Sequence, residues 1–199
     1  MSSDVAPAAA GEAACHEACQ EALGQALRSA RVIKIMQAMD KLGCSTAAQG
    51  FLRCKPCAPN AGIVGGFSTD PAQPPHVMLC EDNIERAKLP PAMVEQTVVH
   101  ELIHAYDSCR AHVDWDNCLQ LACTEVRAAN LSGDCSWINE AQRGNLGFTD
   151  QGGKCIRRRA ELSVAAQPHC KDLAKHAVEQ VYGACFEDNA PFVGRSDRK

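Results

Sequence analysis

The stretch PAMVEQTVVHELIHAY, residues 91–106, contains the motif HExxH at residues 100–104. It begins with a proline, which is tolerated in the first turn of a helix, and its apolar residues recur at helical density. These features predict a helix from Pro91 to Tyr106. Positions four apart lie one above the other on a helix, so His100 and His104 would present two imidazoles to one point.

The residues of this motif predict a zinc site. Two imidazoles one helical turn apart suit a zinc ion, and Glu101 is carried beside the first of them. There its carboxylate can take a proton from a water whose pKa zinc lowers to about 7. The apolar neighbours favour a buried zincin helix over two surface histidines on an ordinary helix. We therefore expect Zn2+ as the cofactor, His100 and His104 as ligands and Glu101 as the catalytic residue.

A catalytic zinc site needs a third protein ligand, and the pattern leaves its identity open. The metzincin continuation HExxHxxGxxH is absent, because Asp107 and Arg110 stand where Gly and His are required. The gluzincin arrangement takes a Glu from a following helix, and Glu125 lies on a helix predicted from Trp115 to Leu131. We expect Glu125 as the third ligand, with Asp107 and His112 as alternatives. Asp107 could instead hydrogen-bond a ligand imidazole, and Glu125 could instead pair with an arginine.

The bulk properties limit the class of protein. A chain of 199 residues can bury one substantial core. Its net charge of -4 argues against a nucleic-acid partner, and it contains no run of about 18 apolar residues that could span a membrane. The first residues carry neither a hydrophobic signal region nor arginines. We expect a disordered tail over residues 1–14, a single metallopeptidase domain over 15–192 and a C-terminal tail over 193–199.

Thirteen cysteines are spread along nearly the whole chain, from Cys15 to Cys185. Such a spread favours a disulfide framework over a set of buried free thiols. Without a secretory signal, the compartment that fits is the mitochondrial intermembrane space, where cysteine-rich proteins are oxidised on arrival. An odd number leaves at least one thiol free or paired with another molecule.

Two pairs of cysteines have informative spacing. Cys54-Lys-Pro-Cys57 lacks the second CxxC of a zinc ribbon, so two structural half-cystines are favoured over a redox dithiol. Cys15 and Cys19 share a face of a helix predicted from Cys15 to Leu42, which would suit two bridges to another element.

The remaining pattern predicts a small sheet and two closing helices. Short β-like runs cover Ile63–Phe67 and His76–Cys80, and helical patterns cover Cys155–Ala166 and Pro168–Phe186. The second run precedes the zinc helix, where zincins place an edge strand that pairs with an extended substrate. His76 is interpreted as a surface or strand-end residue. The expected fold is therefore α+β and mostly helical, a zincin-like metalloprotease with a small sheet, rich in disulfides.

The sequence resembles a known family in two stretches, HELIHAYD at residues 100–107 and CTEVRAANLSGDC at residues 123–135. The CxxC at residues 54–57, Cys80 before the zinc helix and the Arg-Arg-Ala that follows Cys155 add to the likeness. The family is that of the mitochondrial inner-membrane metalloproteases that mature a subunit of the ATP synthase. The resemblance covers most of the chain from about residue 15 to Phe192.

This resemblance implies a protease of the intermembrane space, peripherally attached to the inner membrane. Its substrate would be the precursor of a membrane subunit of the ATP synthase proton channel, and it would also assist assembly of that subunit without needing protease activity. His100 and His104 match the metal positions and Glu101 the catalytic one, whereas Glu125 as a ligand remains our interpretation of a matching motif. The alternative function is a non-proteolytic assembly factor, or chaperone, whose zinc helix is structural.

Overall fold

The structure is a computed structural model that describes residues 6–58, 62–146 and 150–192. The chain packs as two compact units, Met1–Ala105 and Tyr106–Lys199. The boundary falls inside the helix that carries HExxH.

The first unit combines helices with a small sheet. Its elements in chain order are α1 (Ala6–Ala26), α2 (Ala30–Lys41), β1 (Leu52–Lys55), β2 (Gly65–Ser68), β3 (His76–Cys80), α3 (Glu81–Arg86) and most of α4 (Pro91–Arg110). The sequence pattern predicted one helix from Cys15 to Leu42. Instead the chain breaks between α1 and α2, because Ser29 caps α2 by accepting a hydrogen bond from the backbone N–H of Arg31. Helix α1 also begins at Ala6, inside the segment expected to be a tail.

The sheet has the order β1-β3-β2, with β3 parallel to β1 and antiparallel to β2. The prediction that His76–Cys80 is an edge strand is therefore wrong. β1 lies on its other side, and β1 carries no strong period-two pattern that would have revealed it. His76 is at the start of the strand as expected, but it is buried rather than on the surface. Its ring nitrogens contact Arg53 and the carbonyl oxygen of Pro74.

The second unit is helical. It contains the last turn of α4, α5 (Cys118–Leu131), α6 (Trp137–Gln142), α7 (Gln151–Ala165), a 3-10 turn (Lys171–Leu173) and α8 (Ala174–Glu187). Helices α5, α7 and α8 pack around an apolar core that includes Val126, Ile156, Val164 and Val178. The predicted second helix starts later than expected, at Cys118, because the side chain of Asn117 caps it. The expected C-terminal tail over 193–199 lies outside the described residues.

Disulfides stabilise both units, as the spread of cysteines predicted. Twelve of the thirteen cysteines are disulfide-bonded and Cys15 is free. The cysteines of the CxxC bond to different partners, which confirms them as structural half-cystines. The bridges whose pairing the structure describes are Cys19–Cys54 and Cys57–Cys80 in the first unit, and Cys118–Cys170, Cys123–Cys185 and Cys135–Cys155 in the second. The mostly helical, disulfide-rich α+β fold is thereby confirmed.

Removing one long bridge should destabilise the protein. Cys123 and Cys185 are 62 residues apart in sequence, so their bond removes much entropy from the unfolded chain. Replacing both by Ser should lower the free energy of unfolding by about 2–4 kcal/mol in urea titrations. The matched control is Cys15→Ser, which removes a thiol that bridges nothing and should leave the unfolding midpoint unchanged. Equal stability of the double variant and the control would contradict the framework.

Candidate metal centre

Helix α4 carries the two histidines on one face. The ring centroids of His100 and His104 are 4.9 Å apart, with the ring planes at 77°, and a nitrogen of each lies within 4.8 Å of the other. His104 is buried and His100 partly so. The helix predicted to end at Tyr106 continues for another turn to Arg110. The side chains that hold it in place are fully buried: Val94, Val98, Val99, Leu102 and Ile103.

Glu101 follows the first histidine and is 9% exposed. The two residues that follow it, Leu102 and Ile103, are fully buried. In a site of low local dielectric, a carboxylate acts more strongly on a nearby charge or proton than it would in water. The role of Glu101 as a general base beside the two imidazoles stays a prediction from the motif.

Strand β2 approaches α4 one turn before His100. A Cβ atom added to Gly65 would lie 2.7 Å from Cγ2 of Thr97 and 3.2 Å from the carbonyl oxygen of Met78. Thr97 is β-branched and its side chain is stiff, so this close approach requires glycine. Within the described sheet, β2 is hydrogen-bonded to β3 alone. The edge strand beside the histidine helix is therefore β2, whereas the sequence pattern had suggested His76–Cys80.

The last turn of α4 is tied to α5 by a buried carboxylate. Asp107, one turn after His104, accepts hydrogen bonds from Oγ1 of Thr124 at 2.9 Å and from Nε of Arg127 at 3.0 Å. Arg110 also pairs with it, at 3.0 Å. Asp107 is 4% exposed and Arg127 is fully buried. This carboxylate, which the sequence left as an alternative third ligand, is thus engaged by two arginines and a threonine.

The same network holds the segment after α8. Arg127 pairs with Asp188 at 2.6 Å and also donates to the backbone carbonyl of that residue. Burial alone would raise the pKa of Asp188, but the hydrogen bond from Arg110 and the positive charge of Arg127 hold this pKa below its ordinary value. The two arginines and two aspartates therefore form a charged cluster in which each ion has a partner.

Glu125 lies on α5 between Thr124 and Arg127 in sequence, and it is 9% exposed. The arginines that could have competed for it have other carboxylate partners. Arg127 bonds Asp107, and the cluster Arg157–Arg159 bonds acidic residues on α6, on α8 and before α6. His112, the other alternative ligand, is exposed beyond the end of α4. His100, His104 and Glu125 are thus candidate metal-binding side chains, two on α4 and one on α5.

A second set of potential ligands lies in the second unit: Cys118, His169 and Cys170. The two sulfurs are bonded to each other in a disulfide. Because zinc binds thiolates, this set does not compete with the histidines of α4 for the metal.

The pattern of residues did not reveal Gly65 and Arg127. A glycine at the start of a short strand and an arginine on a helix are both common in proteins. The available signal was the spacing of Thr124 and Arg127, which puts both on one side of α5 beside an apolar stripe.

A buried HExxH helix in a disulfide-rich α+β chain is typical of metallopeptidases. Comparison with known proteins narrows this class to one family. The sequence profile of the Peptidase M76 family matches residues 17–193, and the chain belongs to this family. No solved structure matches the chain.

Named relatives are similar over most of the chain. The mitochondrial inner membrane protease ATP23 homolog of Homo sapiens is 43% identical over 160 residues, which are 79% of this chain and 61% of the relative. The mitochondrial inner membrane protease ATP23 of Mycosarcoma maydis is 41% identical, over 74% of this chain and 69% of the relative. The protein of the same name in Schizosaccharomyces pombe is 37% identical, over 81% of this chain and 83% of the relative. The chain therefore spans about three fifths of the length of the human relative. Among the helices of the described residues, none is long and apolar enough to cross a membrane.

The contact between β2 and α4 can be tested with neighbouring glycines. Gly65→Ala should push the strand from the helix and destabilise the protein by about 1–3 kcal/mol, as overpacking does. Gly66→Ala is the matched control, because its added Cβ would meet Cε of Met78 at an ordinary 3.9 Å. Thermal unfolding monitored by circular dichroism checks both variants. Equal melting temperatures for the two variants would contradict the close approach.

Proposed function

We propose that this chain is a zinc metalloendopeptidase of the mitochondrial intermembrane space that processes a membrane subunit of the ATP synthase and assists its assembly. The observation that carries the proposal is the pair of imidazoles, His100 and His104, on one face of a buried helix with Glu101 between them in a member of a peptidase family. The substrate and the location rest on the resemblance and on the names of the relatives.

The proposed metal ligands are His100, His104 and Glu125. Two imidazoles and one carboxylate form a donor set that zinc accepts in catalytic sites. Glu125 is supported by its burial and by its neighbours on α5, since Thr124 and Arg127 both bond the turn of α4 that follows His104. A zinc ion held there would polarise the scissile carbonyl and lower the pKa of a bound water.

Glu101 would move the proton in the proposed reaction. Its carboxylate accepts a proton from the attacking water and then returns it to the amine that leaves when the peptide bond breaks. In this scheme Glu101 is the proton acceptor and not a metal ligand, because it lies about 100° around the helix from His100.

The substrate would bind as an extended segment along β2. This strand is at the edge of the described sheet, and an edge can receive a peptide through backbone hydrogen bonds. Because Gly65 lets β2 lie close to α4, a peptide bound at this edge would run beside the histidine helix. The membrane subunit precursor would be cut in such an extended N-terminal segment.

The location is supported by the cysteines and by the relatives. Disulfides persist in oxidising compartments and are rare in the reducing cytosol, and twelve cysteines here are bonded. The relatives in Homo sapiens and fungi are named as inner membrane proteases. We propose that this chain is attached peripherally to the same membrane and acts on a protein, with no role for nucleic acid.

The test is Glu101→Gln. Losing the proton acceptor should reduce cleavage of the subunit precursor by about 10²–10⁴-fold while zinc content and melting temperature stay unchanged. His112→Ala, an exposed position past α4, is the control and should keep full activity. In cells, the glutamine variant should accumulate precursor and still support ATP synthase assembly better than deletion of the gene. Undiminished cleavage by the variant would contradict the proposed mechanism, and unchanged ATP synthase in both strains would contradict the substrate.

A further inference from the structure

Helix α6 is inverted compared with an ordinary surface helix. Its fully buried side chain is Glu140, whereas Trp137 and Ile138 are 62% and 64% exposed. A surface helix normally turns its apolar stripe to the core and its charged residues to water. Leu146, four residues past the end of the helix in sequence, is also 64% exposed.

The inversion is held in place by polar contacts. Glu140 accepts hydrogen bonds from Arg158 at 2.8 Å, from Arg143 at 3.1 Å and from Asn145 at 3.1 Å. Burial alone would raise the pKa of Glu140, but the bonds from Arg158 and Arg143 outweigh it and hold this pKa below its ordinary value. The buried carboxylate of Glu140 is therefore charged, and its hydrogen bonds hold α6 with the apolar side chains facing solvent.

Covalent and capping contacts fix the start of the same helix. Ser136 accepts a hydrogen bond from the backbone N–H of Asn139, and the preceding Cys135 is bonded to Cys155 on α7. The outward position of Trp137 and Ile138 is thus specified by a disulfide, a cap and a buried charge. We call the surface formed by Trp137 and Ile138 the apolar patch.

The apolar patch does not contribute to folding, since exposed apolar side chains gain nothing by leaving water in this state. An exposed apolar patch with a polar rim marks an interaction site. Arg143, Arg158 and Arg159 lie on the same part of the second unit, and each is partly exposed while paired with Glu140 or Asp134. Three guanidiniums against two carboxylates leave this cluster with one net positive charge. Residues 134–166 contain five basic and four acidic side chains, in a chain whose net charge is -4. This surface would meet an anionic partner with less repulsion than the rest of the molecule.

We infer that the apolar patch inserts into the interface of a bilayer containing anionic phospholipids. Trp and Ile suit this region, because an indole ring sits at the headgroup level and an aliphatic chain enters the acyl region below it. The arginines of this cluster would contact lipid phosphates. The inference deepens the proposed peripheral attachment and rests on it, but it does not depend on the peptidase activity.

Tryptophan fluorescence tests the insertion directly, because the chain has two tryptophans. Trp115 is partly buried against the core of the second unit, so Trp115→Phe leaves Trp137 as the reporter. With vesicles of phosphatidylcholine and phosphatidylglycerol, its emission should shift to the blue and be quenched by brominated acyl chains. The reciprocal variant Trp137→Phe should show neither change. Absence of both changes in the Trp137 reporter would overturn the inference.

A vesicle co-sedimentation assay gives the second readout. The double variant Trp137→Ala, Ile138→Ser should bind the same vesicles more weakly, by a factor of about ten or more, since it loses two apolar side chains. Leu173→Ser is the matched control, because Leu173 is 52% exposed elsewhere in the second unit. Unchanged binding by the double variant, or binding only to an added protein partner and not to vesicles, would overturn the inference. Cleavage of a soluble peptide is measured in parallel, so a failure of the proposed peptidase function is seen separately.

Discussion

The candidate site depends on α4 being one uninterrupted helix from Pro91 to Arg110. A regular helix places positions four apart on one face, so His100 and His104 face the same point only while the helix is unbroken. Its fully buried residues, among them Val98 and Leu102, hold this geometry from the core side. The same helix carries Asp107 one turn later in sequence.

The buried charges around Asp107 add specificity to that element. Arg127 is fully buried, and removing a partner from such a pair leaves an unpaired charge, which costs about 3–5 kcal/mol. An apolar pair could stabilise the fold as well, but it would not fix the rotation of α5 relative to the last turn of α4. Glu140 has the same role at α6, where two arginines and an asparagine hold a charge inside. In both places a buried carboxylate specifies the orientation of a helix.

Motifs and spacings within the sequence predicted the histidine helix and the disulfides. HExxH and its apolar neighbours predicted α4, and the spread of cysteines predicted the disulfides and the free thiol. The order of the sheet was not predictable, because β1 pairs with β3 across a long separation in sequence and shows no clear alternation. The break at Ser29 was hidden by apolar residues at helical spacing on both sides. The inversion of α6 depends on Arg158, which lies on a different helix, and periodicity within α6 carries no information about it. The roles of His100, Glu101, His104 and Glu125 stay predictions.

The most direct test of the account is X-ray absorption spectroscopy at the zinc edge of the purified, zinc-loaded protein. We expect one zinc per chain, bound by two imidazoles and by oxygen ligands without sulfur, at zinc–nitrogen distances of about 2.0–2.1 Å. In Glu125→Ala the number of oxygen ligands from protein should fall and zinc should be held far more weakly, whereas the His112→Ala spectrum should match the wild type. A spectrum with sulfur ligands, or one that Glu125→Ala leaves unchanged, would contradict the account.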